Sequence, residues 1–294
     1  MIALLPMVLV LVAFALYVYY ARWRRRALRN RPFPGPWLEI LATALPVYAS
    51  LAPDEQARLR QLMQQFIADK RFYGCGGLTI TDEMRVTIAA EACLLLVNKG
   101  GPVYPELASV LVYPTAFQVR RDEHRPDGTV AAGNHHLLGE SWSNGKVILS
   151  WDDVQKGVGD FTDGHNVVLH EFAHQLDAES GSVNGAPPLR RNSYKSWARV
   201  FSESFGNLRQ RGLHGQAPFM DEYGATSPAE FFAVATETFF ERPQQLFAVR
   251  PDLYDELQTY YQVDPRNWRP QGAARGGPGT ASSRGSPPGQ SPAG

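Results

Sequence analysis

The sequence predicts an α+β fold, mostly helical with a small sheet, preceded by one N-terminal transmembrane helix. Three observations support this prediction: several long segments repeat apolar residues at the helical period, two short segments have the composition of strands, and the first 20 residues contain no charged side chain. The predicted organisation is an anchor at residues 1–21, a basic juxtamembrane segment and linker at 22–52, one folded domain at 53–268 and a disordered tail at 269–294.

The N-terminal segment has the length and flanks of a membrane anchor. Twenty helical residues span about 30 Å, the thickness of the hydrocarbon core of a bilayer. Six arginines follow between Arg22 and Arg31. A signal peptide carries its positive charge before the apolar run, and a buried core helix would not explain the arginines. Because arginines stay on the cytoplasmic side, we expect a single-pass protein of the inner (cytoplasmic) membrane whose folded domain faces the cytoplasm.

Within the folded domain the elements follow from periodicity and capping signals. Helices are expected at Asp54–Lys70, after Thr81, at Tyr194–Arg209 and at Leu253–Tyr261, and strands at Leu107–Tyr113 and Lys146–Trp151. Phe72–Ile80 is expected to be a glycine-rich strand or turn. Val147–Trp151 is our prediction for an edge strand that would pair with extended substrate. From Pro270 onwards the composition is that of a disordered tail.

Composition excludes some functions. The formal net charge is zero, so no direct nucleic-acid binding is predicted, and the arginine cluster is explained by lipid headgroups. The two cysteines lie outside any cysteine-protease signature and are expected to be reduced thiols. The chain has no Gly-x-Ser-x-Gly nucleophile motif. Covalent catalysis is therefore not predicted.

The most informative segment is His170-Glu-Phe-Ala-His174, an H-E-x-x-H motif within a predicted helix for which Asp163 is the predicted N-cap. Residues four apart lie one above the other on a helix, so the two imidazoles can bind one metal ion. Glu171 stands beside them as a general base for water at the metal. A solvated surface helix is disfavoured because apolar residues cover much of this one. Imidazole nitrogen suits Zn²⁺, which keeps one position open for water in catalytic sites.

Spacing alone leaves the third ligand open. Asp177 and Ser180 occupy the positions where a metzincin has Gly and His or Asp, so that class is excluded. Asp177 is predicted to orient an imidazole or to anchor the following turn. A second helix begins at Ser227-Pro228 and carries Glu230 and Glu237. Ser-x-x-Glu is also a capping box, which needs no metal, so the capping role and Glu237 both remain alternatives to Glu230.

Several separate motifs resemble the Mlc titration factor A family of zinc-dependent peptidases. They are Gly74–Leu78 with Thr81–Leu96, His170–Asp177, Asn184–Leu189 and Tyr223–Val234, in that order within residues 50–268. The resemblance implies a zincin-like metallopeptidase domain of the gluzincin type, related to the catalytic domain of a bacterial toxin protease. It also implies His170, His174 and Glu230 as metal ligands, Glu171 as the catalytic base and Tyr223 as a candidate oxyanion stabiliser.

Three functions follow as hypotheses. The first is a membrane-anchored zinc peptidase, expected to be an aminopeptidase acting on a peptide or protein substrate. The second is a regulator that binds and sequesters a transcriptional repressor, a role suggested by one branch of the resembled family. The third is a structural metal module without catalysis, and Glu171 argues against it because a structural zinc site has no use for a general base.

Overall fold

Helices form most of the part of the chain that the structure describes, and they pack against one four-stranded sheet. The computed structural model describes residues 31–115 and 145–268, with shorter pieces between residues 9 and 20 and between 117 and 142. The helices are α1 Gly35–Ala44, α2 Pro53–Asp69, α3 Asp82–Leu94, α4 Trp151–Gly159, α5 Val167–Ala178, α6 Tyr194–Leu213, α7 Pro228–Glu241, α8 Pro243–Val249 and α9 Pro251–Tyr261. The strands are β1 Arg71–Gly74, β2 Ser109–Tyr113, β3 Phe117–Gln118, β4 Arg121–His124, β5 Val130–Gly133, β6 His136–Leu137, β7 Gly139–Trp142 and β8 Lys146–Ser150.

The main sheet has the strand order β1-β2-β8-β7. The strands β1, β2 and β8 are parallel, and β7 pairs antiparallel with β8 so that Gly139 lies opposite Leu149. Alternate residues of β2 and β8 are buried, as a half-buried strand requires. The separate pairs β3–β6 and β4–β5 are antiparallel. A mostly helical domain with this small sheet confirms the predicted α+β class.

The predicted edge strand at Val147–Trp151 is wrong. Strand β8 ends at Ser150, Trp151 begins α4, and both edges of β8 are hydrogen-bonded, to β2 on one side and to β7 on the other. The strand at this edge of the sheet is β7, which packs beside α5. The apolar alternation identified β8 as a strand, but β8 is an interior strand because β7 pairs with its outer side.

The predicted linker at residues 32–52 is also wrong for most of its length. Helix α1 packs against α3, and Leu41, Leu45, Val47 and Leu51 are buried in the main core. The indole of Trp37 donates a hydrogen bond to Asp82 at the start of α3. The Pro-Phe-Pro-Gly-Pro run suggested a linker. In the structure this run starts a helix instead, with Pro34 at the N-cap of α1 and Pro36 in its first turn. The folded domain therefore starts near residue 33.

The structure describes few residues at the two ends of the chain. Most of the predicted anchor at 1–21 and almost all of 22–31 lie outside the described residues, as does the tail from residue 269. Among the helices described, none combines the length and the apolar character needed to span a bilayer.

Aromatic packing sets the positions of the two helices that matter most below. On α5, Phe172 contacts Tyr104 and Phe66, with ring centroids 4.8 and 5.6 Å apart. On α7, Phe232 contacts Trp197 of α6 edge to face at 5.8 Å. Aromatic pairs contribute about 0.5–1.5 kcal/mol beyond the area they bury. These contacts fix each helix in the core, and α5 and α7 also pack directly against each other.

Candidate metal centre

Helix α5 presents two histidines on one face. Asn166 caps the helix, because its side-chain oxygen accepts hydrogen bonds from the N–H groups of Val168 and Leu169. The predicted cap, Asp163, lies outside the helix and accepts from the N–H of His165 instead. His170 and His174 follow one turn apart, and their Nε2 atoms lie 3.2 Å from each other. The imidazoles therefore converge as the H-E-x-x-H spacing predicts.

Helix α7 brings Glu230 to the same point. The Ser227 hydroxyl caps this helix by accepting a hydrogen bond from the N–H of Glu230. The Glu230 carboxylate extends towards α5, where Oε2 lies 3.0 Å from Nε2 of His170 and 3.3 Å from Nε2 of His174. These three residues form the one group of metal-ligating side chains found within the described residues. The third position left open by the spacing is therefore occupied by Glu230.

The arrangement fits a metal ion. Three ligand atoms bound tetrahedrally to zinc at about 2.0–2.1 Å lie about 3.3–3.4 Å from one another. The observed separations of 3.0–3.3 Å are close to that spacing before any ion is added. All three atoms can offer electron pairs, and without a positive charge between them these would repel each other. The geometry is thus one that could hold a metal ion.

The pKa shifts of His170 and Glu230 also show that positive charge is stabilised at this point. Burial alone would lower the pKa of His170, but the charge of Glu237 and the hydrogen bonds to Glu230 and Glu237 outweigh it and hold this pKa well above its ordinary value. Burial likewise opposes ionisation of Glu230, yet its hydrogen bonds to the two imidazoles keep its pKa well below the usual range. A carboxylate facing two imidazoles attracts either protons or a metal.

Glu237, the rival candidate for the third ligand, lies on the other side of His170. Its Oε1 is 2.7 Å from Nδ1 of that imidazole, and its Oε2 accepts a hydrogen bond from the N–H of Asn166. An acceptor at Nδ1 places the proton there and leaves Nε2 available for a metal. Glu237 therefore orients a candidate ligand and is not one itself.

Two further acids lie on α5. Glu171 follows His170 in the sequence, and its side chain is buried. Asp177 anchors the turn after the helix, because its Oδ2 accepts a hydrogen bond from the N–H of Gly185, and burial raises its pKa. Gly185 has φ of +79°, and a Cβ there would lie 2.3 Å from the carbonyl oxygen of Pro228. Of the two roles predicted for Asp177, the structure displays the anchoring of this turn.

Tyr223 lies close to the site. It belongs to the 3₁₀ helix Glu222–Ala225, which packs against α7, and about half of its surface is exposed. Its ring centroid is 6.0 Å from that of His170. The side chain of Tyr223 is therefore half-exposed and lies beside one of the candidate ligands.

Sequence reasoning missed the residues behind the centre. Asn166, Glu91 and Glu241 form a buried hydrogen-bonded group next to Glu237. Glu91 carried a signal that could have been used, since it is the one charged residue in the run Ala89-Ala-Glu-Ala-Cys-Leu-Leu-Leu96. An acid in the middle of an apolar helix needs a buried polar partner. The identity of that partner could not be read from the sequence.

Comparison with known proteins places this site in context. The sequence matches the family described as glucose-regulated metallo-peptidase M90 over residues 20–262, which is most of the chain. The chain belongs to the M90 metallopeptidase family. Every residue of the candidate metal centre lies within the matched range, so the part of the chain that could hold a metal ion is part of the M90 match.

Individual M90 relatives extend the match. An uncharacterized protein of a Synechocystis species is 43% identical over 252 residues, which cover 85% of this chain and 91% of the relative. Proteins named Mlc titration factor A from Yersinia pestis and Yersinia pseudotuberculosis are each 33% identical over 234 residues, covering 78% of this chain and 84% of each relative. The resemblance to the Mlc titration factor A family is thereby confirmed.

Proposed function

We propose that this protein is a zinc-dependent peptidase that hydrolyses peptide bonds with Glu171 as general base. The observation that carries the proposal is the convergence of His170, His174 and Glu230, whose ligand atoms lie 3.0–3.3 Å apart. Two imidazole nitrogens and one carboxylate are the ligand set of many catalytic zinc sites. Three protein ligands leave a position free for water or substrate. The M90 family supports the same reaction class.

Zinc bound at this centre would act as a Lewis acid towards the scissile carbonyl and lower the pKa of a water molecule to about 7. Glu171 is adjacent to His170 in the chain and buried, so its carboxylate is held in a water-poor setting where proton transfer is efficient. In the proposal it accepts the proton of the attacking water and then gives it to the leaving amine. Tyr223 donates its phenolic hydrogen to the developing negative charge.

A finer part of the proposal concerns specificity. The gluzincin-type aminopeptidases that the chain resembles remove residues from free peptide N-termini, and we propose the same mode here. The side chains of His170 and Glu230 are 14% and 23% exposed, so the centre can be reached from solvent, as a peptide or protein substrate requires. Comparing peptides with free and acetylated N-termini tests this point. Equal cleavage of both would exclude the aminopeptidase mode while leaving the peptidase proposal intact.

The main test separates catalysis from metal binding. Glu171→Gln removes the base but no proposed ligand, so the full-length variant should keep one zinc per chain while peptidase activity falls by at least about a hundredfold. Glu203→Gln, an exposed acid on α6, serves as the matched control and should behave as wild type. Full activity of Glu171→Gln with bound zinc would contradict the mechanism. A wild-type protein that binds no metal would contradict the whole proposal.

A second candidate function comes from the relatives named Mlc titration factor A, a name that describes titration of Mlc. We propose as the alternative that this chain binds a transcriptional repressor and that peptidase activity is secondary. Glu171→Gln distinguishes the two functions, because it removes hydrolysis and leaves the protein surface unchanged. A regulatory effect that persists in this variant would favour the binding role. Its loss would favour the peptidase.

The anchor is a separate proposal. We propose that residues 1–21 hold the protein in the inner membrane with the catalytic domain in the cytoplasm. The support is the sequence: an uncharged stretch of bilayer length followed by six arginines between Arg22 and Arg31. The M90 match begins at residue 20, so the predicted anchor precedes the matched region almost entirely.

A further inference from the structure

Behind the candidate metal centre, three carboxylates surround one asparagine. We call this group the carboxylate cluster: Glu91 of α3, with Glu237 and Glu241 of α7, around Asn166. All four residues are buried, and Glu91 is fully so. Carboxylates are rarely buried without cations, yet no Lys, Arg or His side chain is hydrogen-bonded to Glu91 or Glu241 among the contacts of the described residues. The amide of Asn166 takes the place that a cation would occupy.

Asn166 uses every hydrogen-bonding group that it has. Its Nδ2 donates to Oε1 of Glu91 at 3.2 Å and to Oε1 of Glu241 at 3.1 Å. Its Oδ1 accepts from the first two N–H groups of α5 after Val167, and its backbone N–H donates to Oε2 of Glu237 at 2.6 Å. The two N–H donors and the one acceptor oxygen of the amide therefore all have partners.

The common alternatives at a helix N-cap cannot make the same set of bonds. Asp caps a helix as well as Asn does, but it has no N–H groups to donate to Oε1 of Glu91 and Oε1 of Glu241, which both accept from Asn166. Ser also caps, but one hydroxyl cannot donate to both carboxylates. Asparagine at 166 thus makes two donated hydrogen bonds as well as the cap, a combination that neither Asp nor Ser can provide.

The bond to Glu237 connects the cluster to the metal centre. One oxygen of Glu237 accepts from the Asn166 backbone, and the other lies 2.7 Å from Nδ1 of His170. Glu237 therefore bridges two points one turn apart on α5. Helix α7 also carries Glu230, so the bonds from Asn166 to Glu237 and Glu241 hold the helix that supplies the third metal ligand at a set distance from α5.

We propose that Asn166 is a positioning residue of the metal centre, which keeps Glu237 against His170 and α7 against α5 through its bonds to the carboxylate cluster. This inference rests on the proposed function, because it concerns the metal site of the proposed peptidase. Partners behind the ligands of a metal site commonly change metal affinity or activity by about 10–100-fold when they are removed.

The test exchanges the chemistry of two contacting residues. In the full-length protein, Asn166→Asp keeps the cap but turns a donor into an acceptor, and zinc affinity measured by chelator competition should fall about 10–100-fold. The visible absorption of the Co²⁺-loaded protein, which reports ligand geometry, should change as well. Asn192→Asp, which adds the same charge at an exposed position, is the matched control and should leave both measurements unchanged.

The decisive variant combines Asn166→Asp with Glu241→Gln, which reverses the direction of one hydrogen bond. The Gln amide would donate to the Asp carboxylate, and its oxygen would still accept from the N–H of Gly164 as Glu241 does. We expect this double variant to recover most of the zinc affinity and the wild-type Co²⁺ spectrum. It decides the question even if Asn166→Asp alone fails to fold.

The outcomes separate this inference from the proposed function. Wild-type affinity and spectrum in a folded Asn166→Asp variant would overturn the positioning role while the zinc peptidase stands. Failure of a folded double variant to recover affinity would also overturn it. By contrast, a wild-type protein that binds no zinc, or that binds it equally well after His170→Ala, would refute the proposed metal site itself.

Discussion

Ser227 and Glu230 are joined by half of a capping box. The Ser227 hydroxyl accepts a hydrogen bond from the N–H of Glu230 at 3.2 Å, but the Glu230 carboxylate extends to Nε2 of His170 and of His174. In a complete capping box this carboxylate would bond to the backbone of the cap residue. The same four-residue pattern thus starts α7 and supplies a side chain to the metal centre.

The first prediction separates these two roles of the Ser227–Glu230 segment. Ser227→Ala should cost about 1 kcal/mol of stability and leave zinc binding intact, because it removes only a cap. Glu230→Gln should reduce zinc affinity by more than the 10–100-fold typical of a partner behind the ligands. Zinc titration and thermal unfolding measure the two effects. If zinc binding survives in Glu230→Gln and vanishes in Glu237→Gln, the assignment of the third ligand is incorrect.

The second prediction concerns Tyr223. Tyr223→Phe keeps the ring near His170 but removes the hydroxyl, so kcat should fall about 10²–10³-fold with bound zinc retained. KM should change little, because the bond is proposed to strengthen in the transition state. Steady-state kinetics on one peptide substrate test this. A rise in KM at unchanged kcat would show that Tyr223 binds substrate without stabilising the transition state.

The third prediction concerns pH and the carboxylate cluster. Burial raises the pKa of Glu91 to about 8 and that of Glu241 to about 9, although the hydrogen bonds from Asn166 oppose both shifts. Glu237 and Glu91 add their own charge to the environment of Glu241. Because these folded-state pKa values lie above the unfolded value of 4.5, the stability that the two protons contribute is complete below pH 4.5. It is lost as the pH rises from 4.5 through 8–9, because the folded protein still holds protons that the unfolded chain has released.

The folded protein should therefore lose stability with rising pH, by about 1.4 kcal/mol per pH unit for each of these carboxyls within that window. Glu91→Gln replaces the acid with a neutral amide of similar shape. The stability lost between pH 6 and pH 8 should therefore be smaller in the variant than in the wild type, by on the order of 2 kcal/mol. Urea unfolding of both proteins at the two pH values measures it. Equal pH slopes for wild type and variant would show that Glu91 does not hold its proton in the folded state.

The fourth prediction concerns topology. If residues 1–21 span the membrane with Met1 outside, protease added to intact cells should leave the C-terminal tail uncut, and the protein should sediment with membranes. An antibody against residues 270–294 reports the cut, and permeabilised cells provide the control. Replacing Arg24, Arg25 and Arg26 by Gln should increase the fraction of molecules that insert with the C-terminal tail outside. Digestion of the tail in intact cells would place the catalytic domain outside.

Much of this architecture could be predicted from local signals. The helix after Thr81 and the helix after Ser227 start where their caps predict, because a cap depends on residues adjacent in the chain. The convergence of His170 and His174 follows from the helical repeat alone. The cap of α5 was predicted at Asp163, three residues too early. Asp and Asn both commonly cap helices, so residue type alone could not distinguish Asp163 from Asn166.

The sequence by itself determined the α+β class, most helix bounds and the pair of imidazoles, since each depends on residues within one or two turns of one another. Residue spacing could not decide between Glu230 and Glu237, for which the family resemblance implied Glu230. The packing of α7 on α5 gives the physical reason, because it brings Glu230 to Nε2 of His170 and places Glu237 at Nδ1. Only the tertiary structure decided that α1 belongs to the core and that β8 is an interior strand. Such pairings join residues tens of positions apart, and no local periodicity specifies which surfaces meet.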